Sequence, residues 1–514
     1  MGSIEKRIGK RKVGDKIMGR QSDYGHGILK DLHELMHRVD HLERTLRRER
    51  LEHKEEVERL QARIAALEEE NRLLRADNER MKRILSNDSS NSSLPPSSDQ
   101  KTKAANTYNH RTKSDKTVGG QPGHKGKTLT KGEVRRKIEQ GEIEHKVKNI
   151  GDTSTGKYVS KYELDIEFRV VATELRFYPD AKGQFHIPPQ YHSDVVYGPG
   201  IKSLVVDLYS EGVVSNDRIC ELVRSITHGK VGLSEGSVYR FCQDFAKKSE
   251  PCLEDIDAEL LNESVLTTDA THVTKDGKQV YIRNQSSKSA VLYSPMEKKN
   301  IETLKETGII PDYVGTWVHD HETALYRFGC GHGECNVHLG RYLKKNTEET
   351  GNSWSERMAK HLWSVEEAKQ ARMAEGYDSF SAEYLESVEK GYREILAQGR
   401  EENKQTKGNI ARQEEKALLN RLETYRENHL LFAYNFSVPY SNNQSERDLR
   451  KCKNRQKMAG GFRKMSGMEM YCKILSVVET MKRKGMNIFN GIREIFQTGR
   501  SLFNRPSLNA LNLG

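Results

Sequence analysis

Apolar residues near the start of the chain repeat with the period of a helix. Over residues 57–85 they alternate steps of three and four, which predicts a coiled coil extending over residues 28–85. Asn71 and Asn78 occupy the same heptad position, where a polar residue fixes register and strand number. We therefore expect a parallel homodimer or a higher assembly, and the alternative is a helical hairpin folded against the rest of the chain.

Two stretches without periodicity flank this helix. Residues 1–27 carry many Lys and Arg and few apolar residues, so they are predicted to be a disordered basic arm. Residues 86–130 open with serines and a proline pair and continue with basic residues, which is typical of a linker.

The pattern then changes to period two. Residues 162–170 alternate apolar and charged side chains, and a second strand is predicted over residues 173–178. These two strands predict a small β-rich lobe over residues 131–190.

Helical patterns return in residues 191–250. Three short helices are expected, over residues 201–209, 216–227 and 234–245. The arrangement is typical of a helix-turn-helix unit, in which the last helix would bring Arg240 to DNA, although many small helical bundles share this pattern.

Two predicted strands each carry an aspartate. Residues 264–273 are predicted to form an apolar strand interrupted by Asp269, and the strand predicted over residues 313–318 ends directly in His319-Asp320-His321. A carboxylate in an apolar strand is costly unless it is paired or binds a metal. The alternative is that Asp269 bonds a buried partner and that Asp320 caps a helix.

A charged helix is predicted to start near Asn443, after Pro439. Its acid, Glu446, is followed at spacings of four, three and four by a stripe of basic residues. Asp448 should face away from Glu446. A solvated surface helix is the alternative. The acid is Glu446, and the candidate DNA-binding residues are Arg447, Arg450, Lys453 and Lys457.

The three acids Asp269, Asp320 and Glu446 could converge on one cation site. Mg²⁺ prefers a few carboxylate oxygens, and two such ions roughly 4 Å apart serve phosphodiester chemistry. We therefore expect two Mg²⁺ ions, with Mn²⁺ as a substitute.

A second candidate metal site is a cluster of soft ligands. Cys330, His332, Cys335 and His338 lie within nine residues and could hold Zn²⁺, but their spacing is tighter than in zinc fingers. Structural packing of these side chains is the alternative that we favour.

Charge and cysteine content narrow the class of protein. The net charge of +11, from 85 basic and 74 acidic residues, suits a nucleic-acid partner. No apolar run approaches the roughly 20 residues that span a bilayer, so no membrane partner is expected. Seven scattered cysteines fit a reducing compartment, so we expect a cytosolic protein.

Five strings in the chain together resemble the transposases of the insertion-sequence-66 family of bacterial mobile elements. They are SNDSSNSSLPPSSD, GGQPGHKGKTL, HDHETALYRFG, CNVHLGRYL and VPYSNNQSERDLRKCKNRQKMAGGFR, in this order. Matched motif by motif, Asp269 and Asp320 fall on the two aspartates of the family's DDE triad, and Glu446 falls on its glutamate.

The resemblance implies a multidomain α/β protein with a ribonuclease-H-like mixed sheet as its catalytic core. The core would comprise residues 251–347 and 431–482, split by a helical insertion over residues 348–430 and followed by a tail over residues 483–514. Relatives often carry cysteine pairs in the β-rich lobe, but residues 101–219 contain none, so zinc is doubtful there.

The implied activity is Mg²⁺-dependent cutting of the element's ends, followed by joining of the freed 3′-hydroxyl to target DNA. The protein would be cytoplasmic and associated with the bacterial nucleoid. The alternative is a non-catalytic coiled-coil regulator or architectural protein that binds DNA, and such a protein would not need the three acids.

Overall fold

The structure is a computed structural model, and it describes residues 23–86, 129–150, 154, 156 and 158–503. The predicted basic arm falls almost entirely outside these residues, as does most of the predicted linker. The chain divides into two compact units, residues 1–84 with 407–411, and residues 85–406 with 412–514.

The first unit is dominated by one long helix. Helix α1 (Asp23–Ser86) is continuous over 64 residues, so the predicted helix is confirmed and a hairpin is not formed. Leu60, Ile64 and Leu74 on its predicted heptad face are 50%, 54% and 52% exposed. The pairing of this face with a second copy of the chain stays a prediction.

The predicted β-rich lobe is wrong. Residues 131–190 begin with helix α2 (Lys131–Glu139), and residues 158–178 contain no strand. One isolated bridge joins Pro179 to Phe185. The alternating apolar side chains, such as Ile166 at 76%, remain exposed. Alternation alone does not make a strand, because the backbone needs a neighbouring strand to pair with.

The three predicted helices after residue 191 are confirmed, and a fourth follows them. Ser234 caps the third by accepting from the N–H of Ser237. Their apolar faces enter the main hydrophobic core. DNA binding by this region stays a prediction. The helices are α3 (Pro199–Ser210), α4 (Asn216–Ile226), α5 (Glu235–Lys248) and α6 (Glu250–Leu261).

A five-stranded mixed sheet lies at the centre of the second unit, in the order β3-β2-β1-β4-β5. The first three strands form an antiparallel meander, and β4 and β5 run parallel to β1. With helices around it, this sheet fits a ribonuclease-H-like core. The strands are β1 (Val265–Lys275), β2 (Lys278–Ser286), β3 (Val291–Met296), β4 (Thr316–His319) and β5 (Gly331–Glu334).

A short helix and a helical insertion follow, and residues 407–411 of the insertion belong to the first unit. Helix α7 (Ile301–Leu304) lies between β3 and β4, and the predicted insertion is helical as expected. It has its own hydrophobic core around Trp354, which is fully buried. Helix α8 (Asn336–Thr350) leads into the insertion, whose helices are α9 (Trp354–Ala374), α10 (Ala382–Lys404), α11 (Asn409–Thr424) and α12 (Arg426–Tyr434).

Four helices complete the described chain. The predicted charged helix is present as two consecutive helices that end at Gly460, whose φ of 70° suits glycine. No helix in the described ranges is both long and apolar enough to cross a membrane. The helices are α13 (Asn443–Asp448), α14 (Arg450–Ala459), α15 (Met465–Arg483) and α16 (Ile488–Thr498).

Candidate active site

Asp269 lies on the central strand of the sheet. Its backbone N–H donates to Asn284 Oδ1 on β2 over 3.0 Å, and its own Oδ1 accepts from the N–H of Ala270 over 2.7 Å. Burial, and then the charge of Asp320, raise the pKa of Asp269 to about 6. The two aspartates are therefore close enough to repel each other.

Asp320 directly follows β4. The parallel register pairs Thr267 with Val318, and continuing it by two residues sets Asp269 level with Asp320. Asp320 Oδ1 is buried and has no hydrogen-bond partner among the described residues. The next helical turn starts after Glu322 without a side-chain cap, so Asp320 does not cap it.

Glu446 lies on α13, which packs against β1. The neighbouring Ser445 donates from its hydroxyl to Thr267 Oγ1 over 2.8 Å, two residues before Asp269. Glu446 Oε1 lies 3.3 Å from His338 Nε2 and 3.8 Å from Arg341 Nη2. Burial lowers the pKa of His338, while the charges of Asp320 and Glu446 act in the opposite direction. His338 therefore lies within electrostatic reach of two of the three acids.

The neighbouring carboxylate, Asp448, has a structural role. It is buried, and it accepts from Arg483 Nη2 over 2.6 Å, from Ser286 Oγ over 2.7 Å and from Asn284 Nδ2 over 3.2 Å. Because Asn284 also accepts from the N–H of Asp269, it links the Glu446 helix to the strand of the first aspartate. The prediction that Asp448 faces away from Glu446 is confirmed.

A buried ion pair fixes the loop after Asp320, and sequence analysis missed it. Arg283 on β2 is fully buried, and its Nη2 lies 2.6 Å from both carboxylate oxygens of Glu322. Its Nη1 donates to Thr268 Oγ1 over 3.0 Å, next to Asp269. The arginine in the strand sequence VYIRNQ is the signal that could have revealed it, because a buried cation needs a partner.

The two aspartates fit a cation. An unpartnered buried carboxylate oxygen and a raised carboxyl pKa are both features that bound Mg²⁺ would relieve. Glu446 is held instead by His338 and Arg341. No group of three or more His, Cys, Asp or Glu side chains within the described ranges is assembled as a metal site. The structure thus brings Asp269 and Asp320 together and leaves Glu446 beside them.

A comparison with protein families decides the identity of the chain. The family model described as Transposase IS66 family matches residues 194–470, more than half of the 514-residue chain, and the match includes all three acids. The chain belongs to the IS66 transposase family. A second model, a family of unknown function (DUF6444), matches residues 41–130. No curated protein matches the chain.

The four candidate zinc ligands of this transposase are not brought together. Cys330 is exposed, while Cys335 is buried and accepts from the N–H of Asn442 over 3.4 Å. His332 Nδ1 lies 3.2 Å from His319 Nε2, and His338 faces Glu446. Burial lowers the pKa of His332 to about 4. These partners agree with the packing interpretation of the four residues.

The predicted basic stripe, Arg450, Lys453 and Lys457, is exposed on α14, and the further candidate Arg447 is exposed on α13. The side chains of Arg447, Arg450, Lys453 and Lys457 are exposed, and none forms an ion pair with a carboxylate in the part of the chain that the structure describes. On the opposite face, Lys451 pairs with Glu479 over 2.7 Å. Helix α14 is held to β1 by the Thr274 N–H, which donates to Gln456 Oε1 over 2.7 Å. The stripe therefore projects from the helix that follows the helix of Glu446.

Arg240 is exposed on α5, and its Nε donates to the carbonyl of Gly236 over 3.3 Å within its own helix. No described contact connects it to the three acids. Its role in DNA binding stays a prediction.

Proposed function

We propose that this IS66-family transposase cuts the ends of its insertion sequence and joins the freed 3′-hydroxyl to target DNA, with Asp269, Asp320 and Glu446 as catalytic residues. The observation that carries the proposal is the level pairing of Asp269 and Asp320 around an unpartnered buried oxygen. A regulator that only binds DNA would not need two adjacent carboxylates, because their mutual repulsion is unfavourable.

The chemistry is two successive phosphoryl transfers. In the first, a water oxygen bonds to phosphorus and the element's 3′ oxygen leaves as a hydroxyl. In the second, that hydroxyl oxygen attacks a target phosphodiester, and the target's 3′ oxygen leaves and takes up a proton. When bound, two Mg²⁺ or Mn²⁺ ions would activate the attacking oxygen and stabilise the leaving oxygen.

The chain's own residues prepare this site. Asp269 and Asp320 must both be ionised to hold cations, and the Arg283–Glu322 ion pair holds the Asp320 loop against the strand of Asp269. Glu446 would be the third residue to hold the metal, and its carboxylate now contacts His338 and Arg341. The histidine contact thus holds Glu446 next to the aspartate pair.

DNA would be bound on the face next to these acids. The exposed cations Arg447, Arg450, Lys453 and Lys457 follow Glu446 along the chain and are free to contact phosphates. Such contacts make binding strongly salt-dependent. The helix-turn-helix-like region with Arg240 would recognise the element ends, and the exposed heptad face of α1 would join two copies of the chain.

The test uses the purified chain and a DNA duplex that carries one element end. We expect Mg²⁺-dependent cleavage that leaves a 3′-hydroxyl, followed by joining to a second duplex, and Asp269→Asn should bind the same duplex without cutting it. A wild-type protein that binds the element end in Mg²⁺ or Mn²⁺ and never cuts it would favour the regulator.

A further inference from the structure

A further buried carboxylate, Glu334, lies on the strand beside β4, one residue before the level of Asp320. Glu334 is the last residue of β5, and in the parallel register it pairs with His319 of β4. Its side chain is fully buried and accepts four hydrogen bonds. The donors are His321 Nδ1 and Tyr326 Oη at 2.6 Å on Oε1, and Arg421 Nη2 at 2.6 Å and His429 Nε2 at 3.0 Å on Oε2.

The four donors come from two different parts of the second unit. His321 directly follows Asp320, and Tyr326 lies in the helical turn after it. Arg421 belongs to α11 and His429 to α12, both in the helical insertion. One carboxylate oxygen therefore holds the loop of the second aspartate, and the other oxygen holds the insertion.

Glu334 and its four hydrogen-bond donors form a tightly bound cluster, unlike a contact at the surface. Burial alone would raise the pKa of Glu334, yet hydrogen bonds from His321 and His429 and the charge of Arg421 hold that pKa well below its usual range. A buried carboxylate with these partners stays ionised, and removing any one partner leaves the others uncompensated. The side chain of His321 is thereby fixed beside Asp320.

We propose that Glu334 is a positioning residue for Asp320, and that the helical insertion sets the geometry of the catalytic centre through it. This inference rests on the proposed function, because it assumes that Asp320 binds the catalytic metal. It predicts that a change in the insertion alters metal binding at Asp320, although no described contact joins the insertion to that carboxylate.

The insertion provides a matched control for Glu334. Glu415 on α11 is also a buried carboxylate, 1% exposed, and it accepts from Trp354 Nε1 over 2.7 Å and from Asn352 Nδ2 over 2.8 Å. Its described partners lie on α8 or in the insertion, and none of them belongs to the loop of Asp320. Glu334→Gln and Glu415→Gln therefore make the same chemical change at equal burial, and only the first affects the Asp320 loop.

The experiment measures Mn²⁺ binding and DNA cleavage in the full chain. Mn²⁺ half-saturation is taken from the metal-dependent rise in melting temperature without DNA, and cleavage is measured at saturating metal and DNA. We expect Glu334→Gln to raise the Mn²⁺ half-saturation concentration by about 10- to 100-fold. Glu415→Gln should lower the melting temperature and leave Mn²⁺ half-saturation within about 2-fold of wild type.

A second pair of variants covers the case in which Glu334→Gln does not fold. Arg421→Met removes only the guanidinium that the insertion supplies, and Arg421→Lys keeps its charge. The methionine variant should weaken Mn²⁺ binding, and the lysine variant should restore most of it. Equal Mn²⁺ half-saturation in wild type, Arg421→Met and Glu415→Gln would overturn the proposal, whereas a wild-type chain that binds metal and cuts no DNA would overturn the proposed function instead.

Discussion

Replacing Asp269 with asparagine should stabilise the metal-free protein at neutral pH. Burial and the charge of Asp320 raise the pKa of Asp269 from 3.8 to about 6 in the folded chain. A carboxyl whose pKa is raised on folding favours the native state below pH 3.8, and this contribution is lost as the pH rises through 6. Above pH 6 the wild-type protein therefore carries the full cost of an ionised Asp269.

The size of this stabilisation follows from the pKa shift of Asp269. About two pKa units at 1.36 kcal/mol each give roughly 3 kcal/mol, and partial solvent contact of the side chain reduces this to about 1–3 kcal/mol. In urea unfolding with EDTA, the free energy of unfolding of Asp269→Asn should exceed that of wild type by this amount at pH 7.5 and by little at pH 4. Titrating groups that do not interact with Asp269 affect both proteins equally and cancel in the difference.

Added Mg²⁺ should reverse the order of stability. A cation that binds only the folded wild type stabilises it by about 4.1 kcal/mol at 1,000 times its dissociation constant, which exceeds the advantage of about 1–3 kcal/mol of the asparagine variant, and that variant should gain much less. An asparagine variant that is less stable than wild type in EDTA at pH 7.5, or a difference that does not change with pH, would refute this reasoning.

Three further predictions concern other parts of the chain. Arg283→Met should lower the free energy of unfolding by about 3 kcal/mol, because the largely buried Glu322 is left with only the longer contact to Lys299, at 4.0 Å, as a described ion pair; urea unfolding measures it, and an unchanged midpoint would contradict it. Lys453→Ala and Lys457→Ala should each reduce the slope of log binding constant against log salt by about 0.9, with Lys360→Ala on α9 as the control. Residues 28–85 should have the mass of a dimer in light scattering, and a monomer would contradict the coiled coil.

Two of the three proposed catalytic acids could be found from local sequence alone. Asp269 interrupts an apolar strand and Asp320 ends one, and each position is costly for a carboxylate unless it has a partner. The parallel pairing of β1 with β4 then brings them level. Glu446 needed the spacing of its helix and the family motif, because a charged surface helix has the same pattern.

The groups that hold the site in place could not be found in this way. Arg283 and Glu322 are 39 residues apart, and Glu334 and Arg421 are 87 apart, so nothing in the local pattern relates them. Strands β3 and β5 were missed because short strands carry little periodic signal. The predicted strands over residues 162–178 failed for the opposite reason, since a clear alternation was present without a neighbouring strand to pair with.

The central claim is that Asp269, Asp320 and Glu446 form one catalytic site. The most direct test measures cleavage and joining of element-end DNA by Asp269→Asn, Asp320→Asn and Glu446→Gln separately, with Glu469→Gln as an exposed carboxylate control. We predict that each of the three abolishes Mg²⁺-dependent cleavage and joining while DNA binding persists, and that the control behaves as wild type. Cleavage or joining that survives any one of the three changes at the wild-type rate would contradict the claim.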